Sequence, residues 1–263
     1  MKAYPIYQVD AFTDTLFGGN PAAVCPLQAW LPDHTMQQLA MENNLSETAF
    51  FVQKENVFEI RWFTPEMEID LAGHPTLAAA CVIFNVLKTA KHTIHFESKS
   101  GRLMVEKKNT LLVMNFPSRM PVKTEQIPEG LLHGFNIAPL EVWKSRDFLL
   151  IYPDENTILS LVPNFNQLNT VDTLGVIVSA EGKQSDFVSR FFVPNSVIGE
   201  DPVTGSAHAT LIPYWHHKLG KNAMTAQQLS KRGGKLWCEM MHNRVSIAGK
   251  AVVYMKGEYY LPA

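Results

Sequence analysis

The chain has 263 residues, 46% apolar and 18% charged, with a net charge of −2, enough to bury a sizeable core in one large or two ordinary domains. That balance, without a long basic run, argues against a nucleic-acid partner, and no apolar stretch reaches the ~18 residues of a membrane span. Cys25, Cys81 and Cys238 are scattered and form no CxxC pair, and "MKAYPIYQVDAF" lacks a signal peptide's apolar core; both fit buried thiols in a reducing cytoplasm.

In chain order, "YPIYQVDAF" alternates as a strand, and Gly18-Gly19-Asn20-Pro21 reads as a turn into a second short strand. "LPDHTMQQLAMENN" predicts a helix with Asp33 as N-cap and Met36, Leu39, Ala40 and Asn43 on one face. "ETAFFV" and "VFEIRWF" predict strands. "PTLAAACVIFNVL", residues 75–87, predicts a helix so apolar all round that other elements must wrap it. "HTIHFES", "GRLMVEKK" and "LLVMNFP" predict a three-strand meander. The polar stretch 118–130, with Pro121 and Pro128, is the best linker. It predicts domains over 1–118 and 119–263, with the last strand free to return to the first domain.

The second half repeats the plan. "EVWKSRDFLLIYP", "LGVIVSAEG" and "DFVSRFFVP" predict strands, and "LIPYWHHKLG" an apolar helix ending near Gly220. "KLWCEMMH", "RVSIAGKAVVYM" and "EYYLP" predict further strands. The two helix entries, "DLAGHPTLAA" from Asp70 and "DPVTGSAHATL" from Asp201, each place an Asp before a Gly and a polar residue at the mouth of an apolar helix. We read this as an internal duplication.

A helix N-terminus presents free N–H groups and partial positive charge, and Gly73 and Gly205 would admit a ligand close to the backbone. Two such entries facing each other across a cleft would hold a carboxylate at one end and stabilise an enolate-like charge at the other. Taken singly, each polar residue has a plain structural use. Ser206 serves as an N-cap, His74 bonds a neighbouring strand, and Asp201 makes an Asp-Pro turn. Glu47, in "NNLSETAFF", lies between a helix end and an apolar strand. It is either a turn carboxylate or the acid/base of a proton-moving site. Glu200 reads as a support for the turn. His208, His216 and His217 are not spaced as metal ligands on one helix face, and GxGxxG, P-loop and GxSxG motifs are absent.

Five motifs, "QVDAFTDTLFGGNPAAV", "NNLSETAFF", "TPEMEIDLAGHPTLAAA", "GEDPVTGSAHATLIPYW" and "QQLSKRGGKL", stand in order as far as about Lys235. In them the chain resembles the PhzF (phenazine biosynthesis-like) family, related to diaminopimelate epimerase. The resemblance implies an α+β fold of two similar domains. Each is a barrel-like, mostly antiparallel sheet around a central helix, and the active site lies between them. It implies an isomerase that works without cofactor or metal, resembling the phenazine-pathway dihydro-hydroxyanthranilate isomerase. Its substrate would be a small carboxylate-bearing molecule, and homodimers are common in the family.

Carried over by position, Glu47 would be the catalytic acid/base, with His74 and Asp201 beside it. Asn20, Gly73, Gly205 and Ser206 would bind substrate. The two cysteines that epimerase relatives place before the turn glycines are replaced here by Ala72 and Thr204, which argues against a two-thiol racemase. A one-base epimerase of an amino-acid-like compound, or a non-catalytic interaction protein on the same scaffold, are the alternatives.

Overall fold

The computed structural model describes residues 1–262. Its packing divides the chain into Met1–Asn115 together with the C-terminal stretch from Ala248, and Phe116–Ile247. The first unit starts with β1 (Lys2–Ala11), β2 (Asn20–Leu27), α1 (Asp33–Asn43), β3 (Glu47–Lys54), β4 (Val57–Phe63) and the short β5 (Glu68–Ile69). Then come α2 (Gly73–Cys81), a π-helical turn (Val82–Leu87), and β6 (Thr93–Ser98), β7 (Gly101–Lys108) and β8 (Leu111–Pro117). The second unit holds β9 (Val122–Lys123), α3 (Glu129–Leu132), β10 (Glu141–Lys144), β11 (Phe148–Ile151), α4 (Glu155–Ser160), α5 (Phe165–Leu168) and β12 (Val176–Glu181). It continues with β13 (Phe187–Val193), β14 (Gly199–Asp201), α6 (Gly205–Leu219), β15 (Ala223–Gln228) and β16 (Gly234–Met241). β17 (Arg244–Gly249) leads back to the first unit, where β18 (Ala251–Leu261) pairs antiparallel with β1.

Each unit is a mostly antiparallel sheet curled around one helix. In the first, α2 packs against β1, β2, β3 and β18, and every residue from His74 to Cys81 is buried. A segment apolar on all sides is stable as a helix only when wrapped in this way. In the second, α6 is buried from Ala207 to Trp215 and ends at Gly220, whose φ of 67° suits the left-handed cap. Pro213 has no N–H to give the carbonyl of Ala209, one turn earlier; the backbone N–H of Arg119 bonds it instead, at 2.8 Å. The polar stretch expected as linker is therefore pinned to α6, and it also contains β9 and the start of α3.

The duplication is written in the strand registers. β2 runs parallel to β3, β3 antiparallel to β4, β4 antiparallel to β5 and parallel to β6, and β6 antiparallel to β7. β11 through β16 repeat that sequence of pairings. Phe63 pairs with Thr48 and Glu68, and Phe192 with Val176 and Glu200. Glu68 therefore corresponds to Glu200, Gly73 to Gly205 and His74 to Ser206. This corrects the expected match of the two aspartates: Asp201 corresponds to Ile69, and Asp70 to Pro202.

A duplicated ion pair confirms the alignment. Arg61 binds Glu68 through two bonds of 2.7 and 2.8 Å, and Arg190 binds Glu200 through two of 2.7 and 2.9 Å. Each guanidinium also lies over the aromatic ring two residues on, Phe63 at 5.2 Å and Phe192 at 4.9 Å. A planar fork binding a carboxylate and stacked on a ring holds the strand that feeds each central helix. Arg61 is the first cause of Glu68 being held below the usual carboxylate range.

Four further expectations are corrected. Asp33 is the first residue of α1, not its cap; Pro32 occupies that place, and the carboxylate bonds Arg61 at 2.8 Å. "EVWKSRDFLLIYP" is a hairpin, because Ser145-Arg146-Asp147 turn the chain between β10 and β11. "RVSIAGKAVVYM" is split after Gly249, and its second part runs on through "EYYLP" as the single strand β18. The apolar helix starts earlier than Pro75, at Gly73, and changes to π geometry after Cys81.

Candidate active site

The first unit brings three of the expected residues together. The turn before β2 is tight: Gly19 has φ of 63°, and a Cβ there would lie 2.1 Å from the Ala11 carbonyl oxygen. Only glycine fits, and the turn places Asn20 at the start of β2 with no exposure. Glu47 opens β3, opposite Ala22 in the parallel pair. His74 is the second residue of α2.

Asn20 Nδ2 lies 3.2 Å from His74 Nδ1, and the Ser46 hydroxyl donates to Asn20 Oδ1 at 3.5 Å. The amide N–H edge therefore faces the ring, Nδ1 accepts, and the imidazole proton sits on Nε2. That nitrogen is 3.0 Å from Glu47 Oε2, off-axis for an ideal hydrogen bond. The Glu47 side chain keeps 17% of its surface exposed. A carboxylate with a histidine N–H at one oxygen and partial access to solvent can take a proton from a bound molecule and return it.

The first turn of α2 has no side-chain cap; its N-cap is Ala72, and Thr76 turns its hydroxyl back to the Ala72 carbonyl at 2.5 Å. Ala72 has no side chain that could cap this turn, and a helix end of this kind beside the Glu47–His74 pair suits an anion.

The second unit carries the other expected residues. Thr204, not Ser206, is the N-cap of α6, and it gives no side-chain cap either. Its hydroxyl donates to Asp201 Oδ2 in a short bond. Gln228, on β15, donates to the Asp201 carbonyl at 2.7 Å and accepts from the Thr204 N–H at 2.8 Å. Asp201 is thereby locked at the entry of α6. Gly205 opens the helix, and Ser206 follows it, accepting from Arg146 Nη2 at 3.2 Å.

His208 is fully buried, its Nδ1 bonded to the Thr204 carbonyl at 2.9 Å. It repeats the back-bond that Thr76 makes in the first unit. Burial pushes its pKa down to about 4, so the ring is neutral and structural.

Gln228, Arg146 and Asp147 were missed in the sequence. The one signal for the last two was a charged dipeptide directly before the wholly apolar "FLLI".

The position equivalent to Glu47 in the second unit is Gly175, where a Cβ would lie 2.1 Å from the Phe191 ring. The duplicated scaffold thus carries this carboxylate in one copy.

Known proteins resemble the chain throughout. The model of the phenazine biosynthesis-like protein family matches residues 9–257. An uncharacterized isomerase of Pseudomonas aeruginosa is 48% identical over 256 residues, which cover 97% of this chain and 98% of the relative. The crystal structure of a PhzF-family phenazine biosynthesis protein from Enterococcus faecalis superposes with a TM-score of 0.96 at 48% identity, covering 99% of this chain and 100% of that one. A predicted epimerase of Pseudomonas aeruginosa shares the fold at a TM-score of 0.74 and 18% identity, over 98% of this chain and 100% of that one. The chain belongs to the PhzF, or phenazine biosynthesis-like, family of isomerases on the diaminopimelate epimerase-like fold.

Proposed function

We propose that the protein is an isomerase that moves a proton between two carbons of a small carboxylate-bearing substrate, with Glu47 as the acid/base. The observation that carries this reading is the chain Asn20–His74–Glu47, at 3.2 and 3.0 Å, beside the uncapped first turn of α2. Glu47 takes the proton from an activated carbon and returns it to another on the same face. Asn20 holds the ring so that its N–H meets the carboxylate, and His74 steadies the charge that appears and disappears there. The N–H groups at Gly73 bind the substrate's carboxylate or developing oxyanion. Asp201, Gly205 and Ser206 enter the proposal as further substrate contacts.

Deuterium uptake from heavy water into candidate cyclic amino or hydroxy acids tests this. The protein should catalyse exchange, and Glu47→Gln should lower the rate by about 100-fold or more. Exchange surviving in that variant would sink the role of Glu47. Exchange at Cα without a shifted double bond would instead identify a one-base epimerase.

A further inference from the structure

The two helix entries differ in what faces the polar residue at the second helical position. In the first unit His74 meets Asn20 and Glu47. In the second, Ser206 meets Arg146. By strand register, Arg146 and Asp147 occupy the places of Pro21 and Ala22 in the first unit. The second unit has no acid at the Glu47 position but has an arginine and a buried aspartate that the first lacks.

Asp147 has no exposed surface, and its carboxylate takes three bonds from the adjacent guanidinium: Nε to Oδ1 at 3.2 Å, Nε to Oδ2 at 3.1 Å and Nη2 to Oδ2 at 2.8 Å. A fork held at a buried carboxylate has little freedom to swing. The same Nη2 reaches Ser206 Oγ at 3.2 Å. A guanidinium only donates, so the serine oxygen is the acceptor and its own proton stays available. Among the described residues no acceptor takes that proton. A second guanidinium stands nearby: burial first, and then the charge of Arg146, hold Arg119 below its ordinary pKa. Arg119 is kept there by its backbone bond to Ala209. Arg119 feels the charge of Asp147 as well, and the dipole of α6 adds partial positive charge at the same helix entry.

We propose that Arg146, held by Asp147, is a positioning residue that makes the Ser206 hydroxyl a fixed hydrogen-bond donor for a carboxylate group on the ligand. The choice of a carboxylate rests on the isomerase reading. The device itself follows from the direction of the Arg146–Ser206 bond: the cation orients the hydroxyl and polarises it toward the anion that arrives.

Binding of anthranilate, a stable aromatic carboxylate, to the full-length protein tests the assignment by calorimetry. Arg146→Gln and Ser206→Ala should each weaken it about tenfold, the scale of one hydrogen bond to a charged group. The double variant should be no weaker than either single one, because the arginine acts through the serine. Arg146→Lys, which keeps the charge but loses the fork, should fall between Arg146→Gln and wild type. Should Arg146→Gln fail to fold with Asp147 unpaired, Arg146→Gln/Asp147→Asn removes both charges and serves in its place; thermal melting checks the fold of each variant. Additive losses, unchanged affinity in the Arg146 variants, or no saturable binding of anthranilate to the wild type would each overturn the proposal. Failure of the isomerase reading appears elsewhere, as the absence of catalysed deuterium exchange in the wild type.

Discussion

His208 and Thr76 occupy equivalent positions and perform the same task with different chemistry. Each bonds back to the carbonyl of the N-cap residue, at 2.9 and 2.5 Å. The histidine does so at a cost that depends on pH. Its pKa falls from 6.5 to about 4 because burial disfavours the charged ring. The unfolded chain therefore binds a proton below pH 6.5 that the folded chain refuses until about pH 4. The stability that this neutral ring contributes is complete above pH 6.5 and is lost as the pH falls toward 4, a change of about 3 kcal/mol from this one group. His208→Thr, which borrows the residue of the first unit, should flatten the dependence of unfolding free energy on pH across that window. Denaturant titrations at pH 4.5 and pH 7, as about the two ends of the window, measure it; an unchanged slope would refute the assignment.

Among the elements, the turns carry the site. α2 and α6 are buried along most of their length, and the proposed chemistry engages only their first two residues. What separates core from site is the strand before each helix, held by Arg61–Glu68 in one unit and Arg190–Glu200 in the other. The turn that ends at Asn20 depends on one glycine. Gly19→Ala would place a methyl 2.1 Å from the Ala11 carbonyl oxygen at a φ of 63°. It should destabilise the protein by at least about 1–2 kcal/mol from the backbone conformation alone, with the clash added. Because the shift falls on Asn20, it should also reduce catalysed exchange in the protein that remains folded. Chemical denaturation and the exchange assay read the two effects separately.

For the whole molecule, chain connectivity matters more than sequence proximity. β18 lies at the end of the chain but pairs with β1 from Lys2 to Ala11, a ladder interrupted by one bulge at Gln8/Val9. β1 in turn pairs with β2, which carries Asn20. Cutting the chain after Ile247 removes that ladder and leaves β1 with one open edge. Hydrogen exchange should then show lost protection in β1 and β2, while β11, β12 and β13, paired among themselves, keep theirs. Unchanged protection in β1 and β2 would show that β1 is held by the rest of its unit. No helix among the described residues is long and apolar enough to cross a membrane.

The sequence by itself determined the elements and the repeat. Alternation marked β1 and β4, short runs broken by turn residues marked β6, β7 and β8, all-round apolarity marked two wrapped helices, and glycine-bearing entries marked where those helices begin. These signals are local, because burial on one face or all faces dictates residue type within a few positions. It also singled out Glu47, His74, Asp201 and Ser206, yet it could not say which of them touch. Only the tertiary structure decided that Asn20, His74 and Glu47, from three elements, stand within 3.2 and 3.0 Å of one another in a row, and that Asp201 is tied to Thr204 and Gln228. It decided that Ser206 answers to Arg146 and is not a cap, and that Asp201 has Ile69 and not Asp70 as its counterpart. Such facts depend on strand register. A shift of one residue leaves composition unchanged but moves every side chain to the other face of the sheet.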